Sequence, residues 1–221
     1  MADELSAEEI HRLDTTDEMI AERRSDPGRT PRDMHPAMRR IVGNIDVFSL
    51  WSGRVACLLL VPMLISIIIE VGGRKGFEYM AAWGMDDLAR DIGLGPTLWA
   101  YDVSRTLMGV MFMLGAGYAL MRGVHIRADF LYRTLPVRWQ AGLDLALYLV
   151  FFFPAMWMFL GVAWEYFYDA YQSGETSMDT TWAPILWPGR LAMPLGVAFL
   201  LIQGVSEALK CVYALHKGRW A

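Results

Sequence analysis

Cysteine, histidine and charge are all scarce in this chain, and each scarcity removes a class of function. Its 221 residues include 2 cysteines and 4 histidines, and only 20% are charged. Cys57 lies in the first apolar stretch and Cys211 near the end of the last, so there is no CxxC pair and thiol redox chemistry is set aside. A b-type haem in a helix bundle needs histidines facing each other within the membrane. Here His11, His35, His125 and His216 fall outside the apolar runs or at their edges. No cofactor is therefore expected. The formal net charge of -4, with no Lys/Arg cluster interleaved with aromatics, argues against nucleic acid as a partner. The first residues also lack a positively flanked apolar core and a small-residue cleavage site, so a cleaved signal peptide is not expected.

What the chain has in excess is apolar surface. Hydrophobic residues make up 55% of the sequence, where a soluble domain carries roughly 45–50%. The excess is gathered into four runs, residues 47–69, 99–121, 143–163 and 191–214. Such a run, at about 1.5 Å per residue, covers a hydrocarbon core of about 30 Å. Inside that core every backbone group must be satisfied within its own segment, which selects helices. The predicted class is an all-α integral membrane protein with four transmembrane helices and amphipathic interfacial helices. Residues 1–44 form a polar tail, 45–215 a four-span membrane domain and 216–221 a second tail. Pro62 is expected to kink the first span, and Pro154 lies inside the third.

The flanks carry helical periodicity of their own. Met38, Ile41, Val42, Ile45 and Phe48 share one side, with Arg39, Arg40, Asn44 and Asp46 on the other, a basic amphipathic approach to membrane lipids. Phe77, Met80, Ala81 and Gly84 predict a short surface helix in the first long loop. Trp164, Phe167, Tyr168 and Tyr171 predict a ring-rich face at the headgroup level. Eleven Lys and Arg flank the spans on the side of the termini, including Arg39, Arg40, Arg122, Arg133, Arg138, Lys210 and Lys217, against four (Arg74, Lys75, Arg90, Arg190) on the other. That bias predicts both termini in the cytoplasm.

Few residues stand out as candidates for chemistry. Arg54 and Arg105 each lie about two turns into a span, where an unpaired charge costs roughly 2.5–3.5 kcal/mol or more. The plain reading is snorkelling or a local ion pair, Arg105 with nearby Asp102, Glu70 or Glu165, and Arg54 with Asp46, Asp144 or the headgroups. No Asp or Glu is read in the central turns of the spans, so a pathway through this chain alone has no ligands. Gly115 with Ala119, Ala192 with Gly196, and Gly204 with Ala208 are spaced for close helix approach, either within the bundle or against a partner. The segment GAGYALMRGVHIRADFLY, 115–132, ends in Arg122, His125, Arg127 and Asp129. These can contact phosphate headgroups or helix carbonyls. With no Ser or Cys nucleophile in the segment, hydrolysis by His125 and Asp129 is disfavoured.

On these residues the chain resembles the small membrane subunit of the tripartite ATP-independent periplasmic (TRAP) transporters, the DctQ-like permeases. That family has a Gly/Ala-rich second span followed by an arginine and an H-I-R-V-D-like turn. Here the pattern reads Gly115, Ala116, Arg122, His125, Ile126, Arg127, Ala128 and Asp129, with alanine where valine is usual. The stretch Gly174 to Thr176, Trp182, Pro184, Trp187 and Pro194 is similar to its G-x-T…W…P pattern, and Asp102 and Arg105 to its acidic-then-arginine start of the second span. Residues 1–44 and the long first loop exceed the compact family pattern.

The resemblance implies a non-enzymatic subunit in a bacterial inner membrane, partnered by a large multi-span permease and a periplasmic solute-binding protein. The binding protein captures an organic acid, and the large permease moves it inward on an ion gradient, commonly sodium. The small subunit braces the scaffold and helps dock the binding protein. Asp102, Arg105, Gly115, Ala119, Arg122, His125, Arg127, Asp129, Gly196 and Gly204 are its candidate helix-positioning or subunit-interface residues. An intramembrane enzyme and a stand-alone carrier are the alternatives.

Overall fold

A computed structural model describes residues 34–123 and 135–220. Its elements are α1 (Pro36–Ala82), α2 (Asp86–Asp91), α3 (Ala100–Met121), α4 (Val137–Leu147), a wide π turn (Tyr148–Phe152), α5 (Phe153–Ser173) and α6 (Trp187–Lys217). The described residues contain no strand, and Thr176 and Ile185 form an isolated antiparallel bridge. Four helices, 36–82, 100–121, 137–173 and 187–217, are long and apolar enough to cross a membrane. Each holds one of the four apolar runs, and the all-α, four-span class follows.

Three of the helices outrun those apolar stretches, α1 most of all, while α3 matches its run to within one residue. Its 47 residues amount to about 70 Å at the α-helical rise. Pro36 opens it at the first helical position, where a missing N–H costs nothing. The amphipathic stretch from Met38, the first apolar run, and Phe77, Met80 and Ala81 all belong to this one helix. The short surface helix expected at 77–84 is therefore the last turns of α1, and Gly84, at φ 72°, falls in the turn beyond. A reason for the continuity is visible in the glycines. A Cβ on Gly73 would sit 2.8 Å from the Gly95 carbonyl oxygen, and one on Gly76 would sit 3.2 Å from the Leu94 side chain. Their bareness lets the returning chain lie flat on the helix, and the Thr97 N–H donates to the Glu70 carboxylate at 2.8 Å. Trp164, Phe167, Tyr168 and Tyr171 likewise continue α5.

The π turn sits just before Pro154. A proline ring crowds the carbonyl four residues back, here Val150, and supplies no N–H to it. The Phe153 N–H instead reaches the Tyr148 carbonyl, five residues back, the wider ring by which a helix passes such an obstacle.

Packing divides the described residues into two compact units, one of residues 34–51, 117–123, 135–157 and 200–220, the other of 52–116 and 158–199. In the first, Met34, Val42 and Tyr213 form a buried apolar cluster with Met38 and Leu209 against it. Gly204 of α6 lies against the Phe152 ring, with no room for a side chain. The Trp220 indole N–H donates to Gln140 Oε1 at 3.4 Å. In the second, the Ser52 hydroxyl donates to the Leu114 carbonyl, Gly115 faces Ala56, and a Cβ on Gly196 would sit 2.7 Å from both Cβ and O of Met113. The most apolar window of α6 is 44% buried, against 11% in α1 and α3 and 0% in 137–173. α6 is thus the helix on which packing centres.

Replacing Gly196 by valine is expected to cost about 1–3 kcal/mol through overpacking against Met113. Gly109→Ala, at a helical glycine with open space around it, should be neutral or slightly stabilising. Unfolding in mixed micelles on titration with SDS measures both, and equal stability of the two variants would refute the close approach.

Candidate functional site

The first unit contains a closed polar network. On α6, Gln203, Ser206, Glu207 and Lys210 recur at i, i+3, i+4 and i+7, one face of the helix. On α1, Asp46 and Ser49 are one turn apart, and all six side chains are buried. The Ser49 hydroxyl donates to Gln203 Oε1 at 2.6 Å, and the Gln203 amide donates to Asp46 Oδ1 at 3.0 Å and Glu207 Oε1 at 3.2 Å. Ser206 donates to Asp46 Oδ1 at 2.8 Å. Lys210 Nζ stands 2.8 Å from Asp46 Oδ2 and 2.8 Å from Glu207 Oε1. Asp46, one of the partners open to Arg54 on sequence grounds, is thus held by Lys210. Each carboxylate is desolvated, and each is met by a shared ammonium and by amide or hydroxyl donors, the condition for keeping charge in an apolar bundle.

The second unit holds a loop latch. Buried Asp102, in the first turn of α3, accepts from the Ser177 hydroxyl at 2.8 Å through one oxygen and from the Thr180 hydroxyl through the other. Arg105 pairs with Asp179. The two residues that stand together in the sequence therefore fasten the same loop through different partners, and Asp102 is not the counter-ion of Arg105. Glu70 and Glu165, the other candidate counter-ions, do not take that place either. The loop closes on itself through Ser177 N–H to the Pro184 carbonyl at 2.8 Å and Leu186 N–H to the Glu175 carbonyl at 3.0 Å, with Ala183 at φ 45°. At its end Arg190 makes a bidentate pair with Glu175, at 2.7 and 2.6 Å, and lies 4.0 Å over the Tyr166 ring. Met178, between the pinned Ser177 and Asp179, is 99% exposed.

The remaining candidates fall into place as follows. Gly115 lies 3.8 Å from the Ala56 side chain by its would-be Cβ, and Gly196 and Gly204 meet Met113 and Phe152. Ala119 is half-buried on α3. Arg122 donates to the Tyr118 hydroxyl at 2.9 Å. His125, Arg127 and Asp129 lie outside the described residues. Ser49, Gln203, Ser206 and Glu207 do not stand out in the sequence as candidates, and neither do Ser177, Asp179 and Thr180. A signal for the first set is nonetheless present, since a polar stripe at i, i+3, i+4 and i+7 in an apolar run has to face inward. The loop residues have no comparable periodicity.

Chemically these sites hold helices and a loop together. Every buried side-chain N or O among the described residues has a hydrogen-bond partner, and no group of three or more His, Cys, Asp or Glu among them could hold a metal ion. Four helices long and apolar enough to cross a membrane, with buried charges paired internally, define a small multi-pass membrane protein. The family model described as "Tripartite ATP-independent periplasmic transporters, DctQ component" matches residues 63–213, and the chain belongs to that family. No curated protein and no solved structure matches the chain. The matched stretch takes in the loop latch and the α6 half of the polar network, but begins beyond Asp46 and Ser49.

Lys210→Met removes the ammonium that Asp46 and Glu207 share, and it should cost about 3–5 kcal/mol. The neutral triple variant Asp46→Asn, Glu207→Gln, Lys210→Met should recover most of that loss. Stability to SDS unfolding is the readout, and a single variant as stable as the wild type would refute the network. Asp102→Ala should speed amide hydrogen exchange across residues 175–186 by about tenfold or more, with α3 little changed. Unaltered exchange there would refute the latch.

Proposed function

We propose that the chain, as the small membrane subunit of a TRAP transporter, braces the large multi-span permease in a bacterial inner membrane and helps dock the periplasmic solute-binding protein. Transport is then the uptake of an organic acid on an ion gradient, with both termini of this chain in the cytoplasm. The observation that carries this reading is that the buried charges are engaged with one another. Asp46, Glu207 and Lys210 close a network with their neighbours, and Asp102 is taken by Ser177 and Thr180. A carrier needs ligands it can release to a solute or ion, whereas these groups are committed to holding helices. The family match supports the role of a partner subunit, and the excess of Lys and Arg on the side of the termini supports the orientation. Arg190, Glu175 and the closed loop at 174–186 supply a fixed surface suited to docking.

The experiment is a pull-down in mild detergent through a C-terminal tag, with mass spectrometry of intact partners and uptake into proteoliposomes. A stoichiometric large permease, and uptake that needs both membrane chains, is the expected outcome. Solute flux through this chain alone would establish the carrier alternative. A catalytic activity of the purified chain that is lost in His125→Ala would establish the enzyme.

A further inference from the structure

We propose that the outward face of α5, centred on Gly161, Glu165 and Asp169, is where a helix of the large membrane subunit docks, bringing an Arg or Lys between the two carboxylates. The inference rests on the preceding reading for the existence of that partner, and adds where it binds and by what chemistry.

Helical phase separates two sides of α5. At about 100° per residue, Ala163, Phe167 and Ala170 fall within about 60° of one another. Ala163 and Ala170 are buried, and the Phe167 ring packs with Tyr171 and Trp187, so this side faces the chain's own bundle. Met158, Gly161, Glu165, Asp169 and Gln172 lie about 160–240° away, on the opposite side, and all are exposed. Met158 is 74% exposed. A Cβ built on Gly161 would meet nothing within 4 Å, unlike Gly189 and Gly196 in the same unit, whose space is filled by Thr106 and Met113. Gly161 is a bare patch of backbone that the chain leaves open, beside the apolar side chains of Met158 and Val162.

Two features of this face select the occupant. Glu165 and Asp169 are one turn apart on the same helix, where like charges repel. Neither side chain has a hydrogen bond or an ion pair among the described residues, while Glu175, Asp179, Glu70 and Glu78 in the same unit each have a basic partner. Around them stand Trp164, Tyr166, Tyr168 and Tyr171, the aromatic band expected at the headgroup level. A carboxylate pair at that level has no attraction for anionic lipid, and a lipid chain gains nothing particular from a bare glycine. A partner helix gains from both. The glycine admits close backbone approach, and a guanidinium or ammonium one turn along it relieves the repulsion and forms charge-assisted hydrogen bonds.

The test uses the assembled transporter in native membranes. Photoreactive p-benzoylphenylalanine replaces Met158 in one variant, and a second carries Glu165→Lys with Asp169→Lys. Crosslinking from position 158 to the large multi-span subunit, identified by mass, is expected. The copurified large subunit should fall about tenfold in the charge-reversed chain, with Glu165→Gln less affected. Crosslinks from position 158 only to lipid, to a second copy of this chain or to the binding protein would overturn the inference, as would undiminished copurification after charge reversal. A wild-type chain that brings down no large subunit would defeat the underlying reading as well. A wild-type complex that forms normally while position 158 stays uncrosslinked to the large subunit would defeat this inference alone.

Discussion

One ammonium shared by two buried carboxylates is the constraint from which much of this chain follows. Charge within an apolar bundle is tolerated only when its counter-charges and hydrogen bonds are supplied at fixed positions. Lys210 reaches Asp46 and Glu207 together only if α1 and α6 keep one register, and Gln203, Ser206 and Ser49 fill the remaining positions around them. The polar stripe of α6 is thereby turned inward. Its apolar neighbours at Ile202, Val205 and Leu215 are left facing out, as a lipid or partner environment requires. Gly204 meets a different neighbour, lying against the Phe152 ring of the π turn.

Within the second unit a comparable role falls to Asp102, with a different object. It fastens a connecting loop rather than another helix, and does so through two hydroxyls, which are weaker partners than a lysine. Arg105 and Arg190 reinforce it by pairing with Asp179 and Glu175 along the same stretch. The family to which the chain belongs is one of transporter components, and these contacts fix the loop between α5 and α6 to the start of α3.

The fold class was legible in the sequence because four long apolar runs allow little else. Helix ends were less so. The surface helix expected at 77–84 merges with α1, whose Gly73 and Gly76 serve as a seat for Gly95 and Leu94. Asp102 and Arg105 were visible as unusual charges near a span, yet their partners were not, since Ser177, Thr180 and Asp179 lie more than seventy positions away in a loop without periodicity. The α6 stripe carried a readable period, but Lys210 stood out only as a marker of orientation and Glu207 not at all. Pairing across helices is a property of tertiary packing, and a single sequence records only the half that lies on one helix.

Ala183 bears on what happens when the loop meets another molecule. An L-residue other than glycine at φ 45° is held in a conformation that costs on the order of 1–2 kcal/mol. It persists because the Ser177, Thr180 and Glu175 contacts on either side leave the backbone no alternative. The conformational freedom that an ordinary loop surrenders on recognition has here been surrendered during folding. A surface that engages Met178 would find it already in place, so little of the association free energy is spent on ordering this side of the contact.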